Sequence, residues 1–227
     1  MRLKTKQKEI LERMNHHDEL VRKAEDIGDY ITAVFHAKLS TRIFEQGIVD
    51  CARLFPTKST VYLRRLMADW DIRCHLVVSL CLQGASSSVN ASAFKLLTLA
   101  REWTNPQNGL HYEKQTVDRL LIAQQLAQYF RFRGKQCAAL DYLDKAEKVF
   151  TLDSTVSKDL RALTHVLRGV LHGELNQLKP SANAFLTALE MLSDESPSAN
   201  GALQSAEQIQ IVALHNSAVI FVRTLVF

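Results

Sequence analysis

The chain has 227 residues, 47% of them apolar and 23% charged, with a formal net charge of +4. That apolar share excludes wholesale disorder, and +4 over this length is too mild to point to nucleic acid by itself. Glycine (8) and proline (4) are scarce and Val/Ile/Thr-rich alternation is absent, so helices are expected nearly throughout, in one extended domain or two small ones.

The basic opening, Met-Arg-Leu-Lys-Thr-Lys-Gln-Lys, is soon balanced by Glu9, Glu12, Asp18 and Glu19, unlike an acid-poor transit peptide, and no signal-peptide core appears. From residue 4 to about 26 a charged helix carries Ile10, Leu11, Met14, Leu20 and Ala24. Gly28 ends it, and Asp29 caps the next helix, which runs on to Leu54 before Phe55-Pro56. Ser59 or Thr60 caps a long helix from about Val61 to Leu82, with Trp70, Cys74, Val77 and Cys81 on its stripe, and Gly84 to Ser88 reads as a polar loop. A shorter helix spans about Ala91 to Trp103, ahead of the loop Asn105-Pro106-Gln107-Asn108-Gly109.

Val117 to Phe150 reads as two helices with Gly134 at the corner. Leu120, Ala123, Leu126, Ala127 and Phe130 recur at helical steps on the first, and Ala139, Leu143, Ala146 and Phe150 on the second. Small alanines at the crossing let the two helices approach, and Phe130 and Leu143 fill the space between. Asp153-Ser154 is expected to cap a helix to about Leu175. Lys179-Pro180 starts another, ending near Leu192, with proline in the first turn, where its missing N–H is harmless. A final helix runs from about Leu203 to Phe227. The expected architecture is all-α: hairpins over 4–54, 59–103, 111–151 and 154–193, then a partial repeat over 203–227, each hairpin covering its neighbour's apolar face in a solenoid spanning 1–227.

These hairpins resemble tetratricopeptide repeats. In the third, Leu126-Ala127 stand at the family's Leu-Gly positions, Phe130 at the tyrosine, Gly134 at the turn, and Ala139, Leu143 and Ala146 on the second helix. In the fourth, Gly169, Leu175, Phe185, Ala188 and Leu189 match, while His172 replaces the aromatic and Ser181 the alanine. The first hairpin keeps Leu20, Ala24, Gly28, Ala33 and Ala37, and by itself also resembles a microtubule-interacting-and-trafficking module. Ala93, Leu97 and Ala100 are the matches in the second hairpin, and Asn216-Ser217-Ala218 with Phe221 is similar to the first helix of a further repeat. Equivalent small residues at Ser40, Ala100, Ala146 and Ala188 are spaced by 60, 46 and 42 residues. The standard repeat has about 34; the 42-residue spacing resembles that of kinesin light chains. The resemblance implies an α-α superhelix whose groove is lined by the first helix of each repeat. Carried over, those positions are Gln124, Gln125, Gln128 and Arg131 in the third hairpin, Leu163, Val166, Leu167 and Val170 in the fourth, and His215, Asn216 and Arg223 in the last helix. The fourth-hairpin set is too apolar to face water, so it is expected to be covered by another element or a protein partner. At the Asn216 position the family often holds a bound peptide's backbone, whereas the alternative is a hydrogen bond within the stack.

Chemistry-bearing clusters are sparse. His165 and His172 share a helix face and His16-His17-Asp18 adjoin, but zinc needs three or four converging ligands, so no metal or other cofactor is expected. Cys51, Cys74, Cys81 and Cys137 form no CxxC and read as free buried thiols of a reducing compartment. The sequon at Asn90 reads as chance without an export signal. Phosphate loops, nucleophile elbows and His-Glu-x-x-His are missing, which argues against an enzyme. Arg131, Phe132, Arg133 and Lys135 cluster, as do Arg64, Arg65 and Arg73, but helix-end cations already complement the macrodipole.

The last helix carries Ile209, Ile211, Val212, Leu214, Val219 and Ile220 and onward to Phe227 almost without a polar face, yet His215, Asn216 and Arg223 interrupt it, so it is not read as a membrane span. Either the chain is the front portion of a longer protein, or this helix docks on a partner or a second copy. The expected function is a non-enzymatic, cytoplasmic scaffold or adaptor that binds protein peptides or helices in a larger assembly. An RNA-associated helical repeat using the Arg/Lys clusters is one rival; an enzyme or ligand-binding helical bundle is the other.

Overall fold

The computed structural model describes the backbone of residues 2–54, 60–87, 91–109, 111–150, 156–193 and 202–226, and side chains over 8–48, 64–87, 92–109, 111–148, 156–193 and 208–220. Every regular element among them is helical: α1 Arg2–Asp26, α2 Tyr30–Leu54, α3 Thr60–Ser87, α4 Ala91–Trp103, a 3-10 turn at Pro106–Asn108, α5 Gln115–Phe132, α6 Gln136–Phe150, α7 Lys158–Glu174, α8 Leu178–Ser193 and α9 Ala202–Val226. The helices group into two compact units, Met1–Asp118 and Arg119–Phe227.

Three hairpin turns share one geometry. The chain leaves α1, α5 and α7 through a left-handed residue, Gly28 (φ 74°), Gly134 (φ 67°) and Asn176 (φ 56°). The following N–H reaches back five residues: Asp29 to the Ala24 carbonyl at 2.8 Å, Lys135 to Phe130 at 2.9 Å, Gln177 to His172 at 2.9 Å. This is the Schellman closure, in which a residue that tolerates positive φ, glycine or asparagine, turns the chain so that the following N–H satisfies one of the last carbonyls of the helix. The next helix begins one residue later, so paired helices stay in close register. Asp29 also caps α2 as expected, its Oδ1 accepting the Thr32 N–H at 3.1 Å.

In the first unit, Ala33, Cys74, Val77, Val78, Cys81 and Ala100 are fully buried where α2, α3 and α4 meet. Burial pushes the Cys74 and Cys81 thiols up to about 12, so both stay protonated and inert. Cys137, expected to be buried, is instead exposed in the first turn of α6. Cys51 lies outside the described side chains, as Asn90 does outside the described residues. A polar clasp joins α1, α2 and α3: Arg73 donates to both Asp18 oxygens at 3.1 and 3.0 Å and to Ser40 Oγ at 2.8 Å, while Ser40 Oγ donates to Asp18 at 2.5 Å.

The end of α3 differs from the sequence expectation. Instead of a loop from Gly84, α3 continues to Ser87. Gly84 is buried, and a Cβ built on it would stand 2.4 Å from Tyr30 Cβ and 2.8 Å from Leu96 Cδ1. The glycine serves close approach between helices, not a turn.

In the second unit, Ala127, Ala139, Leu143 and Leu171 form a core cluster flanked by Phe130, whose ring stacks on Tyr142 at 5.4 Å. The small alanines and Leu143 sit between α5 and α6 as the sequence predicts. A second cluster gathers Ala162 and Val166 of α7, Phe185, Ala188 and Leu192 of α8, and Ala213 and Ile220 of α9. α7 and α8 cross where a Cβ on Gly169 would meet the Phe185 ring at 2.7 Å, and Ser181 Oγ donates to the Gly169 carbonyl at 2.6 Å. The Asp153-Ser154 cap falls outside the described residues; α7 starts instead behind Ser157, whose Oγ accepts from the Leu160 N–H. Pro180 does lie in the first turn of α8.

Candidate functional site

Within the second unit, the ends of α5, α7 and α9 border a groove of about 540 Å³. Its lining mixes Phe185 and Ile220 with the polar Gln136, Asn176 and Ser181, and its wall carries Arg131, Glu174, Asn216 and Val219. Gly169 and Gly173 let α8 and α9 come close beneath it: a Cβ at Gly169 would meet the Phe185 ring, and one at Gly173 would stand 3.3 Å from Ser181 Oγ. Arg131 Nε donates to Glu174 Oε1 at 2.6 Å, tying α5 to α7 across the wall. With each side chain about a third exposed, that pair contributes roughly 1 kcal/mol or less. Asn216 Nδ2 donates to the Val212 carbonyl of its own helix at 2.7 Å, and its Oδ1 retains acceptor capacity.

The groove therefore brings together Arg131, Val170 and Asn216 from the positions singled out in the sequence. Gln124 is elsewhere: it is 3% exposed, and its Nε2 donates to Leu160 O and Thr164 Oγ1, both at 2.9 Å, holding α5 against α7. Gln125 and Gln128 are partly buried and do not line the groove. Val166 is buried in the cluster around Phe185, Val170 packs against that cluster, Leu167 packs against the α5–α6 cluster, and Leu163 is partly buried. The apolar set on α7 is thus largely covered within the fold, one of the two outcomes expected for it. His215 is exposed outside the groove, and Arg223 lies outside the described side chains.

α9 buries Ala213 and Ile220 but leaves Ile211 (65%), Leu214 (57%) and Val212 (44%) exposed, so its described portion is covered on one side only. No helix among the described residues is long and apolar enough to cross a membrane. In the basic cluster, Arg131 is committed to Glu174, Arg133 stands 5.0 Å from the Tyr129 ring, and Phe132 is 81% exposed.

The first unit holds a constellation that sequence reading missed. Asp118, fully buried in the first turn of α5, accepts from Tyr112 Oη at 2.6 Å and pairs with His75 Nδ1 at 2.8 Å; Ser79 Oγ lies 3.4 Å from His75 Nε2. Burial raises the Asp118 carboxyl above its usual range, against the pull of Tyr112 and His75. The order hydroxyl, imidazole, carboxylate is that of a nucleophile relay. Ser79, however, sits mid-helix, where neighbouring backbone N–H groups are engaged within α3 and cannot form an oxyanion hole beside it. The cluster instead fastens the connection between α4 and α5 onto α3, assisted by Gln115 Nε2 donating to the Thr104 carbonyl. The only sequence signal for it was an acidic residue at a helix start, which many helices have.

Among the described residues no group of three or more His, Cys, Asp or Glu converges to hold a metal ion. Comparison with known proteins finds no matching family model, no matching curated protein and no matching solved structure.

Proposed function

We propose that the chain is a non-enzymatic, tetratricopeptide-like scaffold whose second unit takes a peptide or helix of a protein partner along the α5–α7–α9 groove. The observation that carries this reading is that Arg131, Val170 and Asn216, on three successive alternate helices, line one groove. The equivalence of the hairpins supports it further. Gly134 and Asn176, Ala127 and Gly169, Ala139 and Ser181, and Ala146 and Ala188 each stand 42 residues apart and pair turn with turn and buried small residue with buried small residue. Repeats related this way stack into a superhelix with first helices on the inner wall. In this reading the Asn216 amide holds the partner's backbone, Arg131 and Glu174 read its polar groups, and Val219 meets an apolar side chain. The exposed face of α9 supplies a second contact, for a partner helix or another copy of the chain, in a cytoplasmic assembly.

The test is a quantitative pull-down with the wild-type chain beside Asn216→Ala and Val219→Asp, with thermal melts to establish that both variants fold. Partners whose recovery drops in both variants fit the groove. If every partner is recovered equally by all three proteins, the groove does not bind them.

A further inference from the structure

The first unit places two imidazoles from different helices face to face. His17 of α1 and His36 of α2 have their Nδ1 atoms 3.1 Å apart, with ring centroids at 5.2 Å and planes inclined by 26°. The Phe35 ring lies edge-on to His36 at 5.2 Å, and the His16 ring stands 5.6 Å from that of His17. Both imidazoles are partly exposed, which leaves a path for a solute ion.

Two ring nitrogens this close have two ways to coexist. One can donate a proton to the other, or both lone pairs can point at one cation. With metal–nitrogen bonds of about 2.0–2.1 Å, two imidazole donors on a tetrahedral ion stand about 3.4 Å apart, and in a square arrangement about 2.9 Å. The observed separation of 3.1 Å falls between those values. We propose that His17 and His36 form a two-imidazole site for a divalent late-transition ion, Cu2+, with the remaining positions of its tetragonal shell taken by water.

Imidazole nitrogen selects such ions over Mg2+ and Ca2+, which prefer oxygen. Nearby charges temper the affinity. Arg13 on α1 opposes a cation, and the Asp18 carboxylate is engaged by Arg73 and Ser40. Binding would clip α1 to α2 and stabilise the hairpin by mass action.

The test uses the full chain with any affinity tag removed and with Cys137→Ser, because the exposed Cys137 thiol would compete for the metal. Calorimetric titration at neutral pH with CuCl2, ZnCl2 and MgCl2 is expected to show one site per chain, tighter for Cu2+ than Zn2+ and silent for Mg2+, and metal is expected to raise Tm until EDTA reverses it. His17→Gln and His36→Gln should each weaken Cu2+ binding at least tenfold. Electron paramagnetic resonance of the Cu2+ complex should show two imidazole nitrogens, a readout independent of variant stability. Absent saturable uptake, a spectrum without imidazole nitrogen, or unchanged affinity in both variants would overturn the proposal.

Discussion

Gly84→Ala probes the packing of the first unit at its tightest point. The added methyl would stand 2.4 Å from Tyr30 Cβ, 2.6 Å from Tyr30 Cγ and 2.8 Å from Leu96 Cδ1. Carbon atoms settle at about 3.5–4.0 Å, so α2 and α3 would have to separate by roughly 1 Å at this crossing. Leu96 Cδ1 can swing aside, but Tyr30 Cβ moves only with its backbone. Overpacking of a buried site costs about 1–3 kcal/mol, and an anchored obstacle places Gly84 at the upper end. Alanine in place of a helical glycine returns up to about 1 kcal/mol. The net expectation is a loss of about 2 kcal/mol, a large fraction of the roughly 5–15 kcal/mol typical of folded domains. Urea titration followed by circular dichroism measures it. Gly47→Ala in α2 is the control, since its Cβ would meet only Ile10 Cγ2, at 3.4 Å, and should leave stability unchanged or slightly higher. If Gly84→Ala stabilises the chain as much as Gly47→Ala does, the close approach does not exist and the glycine is a simple helix defect.

Other consequences are equally concrete. Burial pushes the Asp18 carboxyl up, but hydrogen bonds from Arg73 and Ser40 outweigh it and hold it below its usual value. A carboxylate depressed in the folded state stabilises above its unfolded pKa of about 3.9, and that contribution fades as pH falls through the folded value. Arg73→Met should therefore cost about 1–3 kcal/mol at pH 7 and flatten the acid-side loss of stability; urea midpoints at several pH values would refute this if the slope is unaltered. Tyr112→Phe strips a donor from buried Asp118 and should cost about 1.5–3 kcal/mol, with faster hydrogen exchange between residues 104 and 114; unchanged exchange there would argue that the cluster anchors nothing. Gln124→Leu should lose about 1 kcal/mol by removing its bonds to α7, yet leave partner recovery intact, because Gln124 is buried outside the groove. A partner lost with Gln124→Leu at full stability would contradict that placement.

Local chemistry accounts for what was legible in the sequence. Apolar residues at three- and four-residue steps mark helices because one face must be buried, and Gly28, Gly134, Asp29 and Pro180 mark their ends because backbone sterics and capping act within a few residues. Gly84 shows the limit. A turn and a helix crossing both call for glycine, and only the position of Tyr30, 54 residues away in the chain, tells them apart. Gln124 illustrates the same ambiguity for polar residues: the repeat pattern places it on an inner wall, whereas a carbonyl and a hydroxyl of a neighbouring helix, each with acceptor capacity to spare, turn it into an internal tie. The Tyr112–Asp118–His75 cluster and the His17–His36 contact carry no periodic signal, because residues on different elements meet through packing. Helix identity and most turn positions were set by short-range pattern, whereas Arg131, Val170 and Asn216 were singled out by the resemblance to a repeat family. Which polar groups face one another, and which apolar surface α9 leaves uncovered, was decided only when the helices came together.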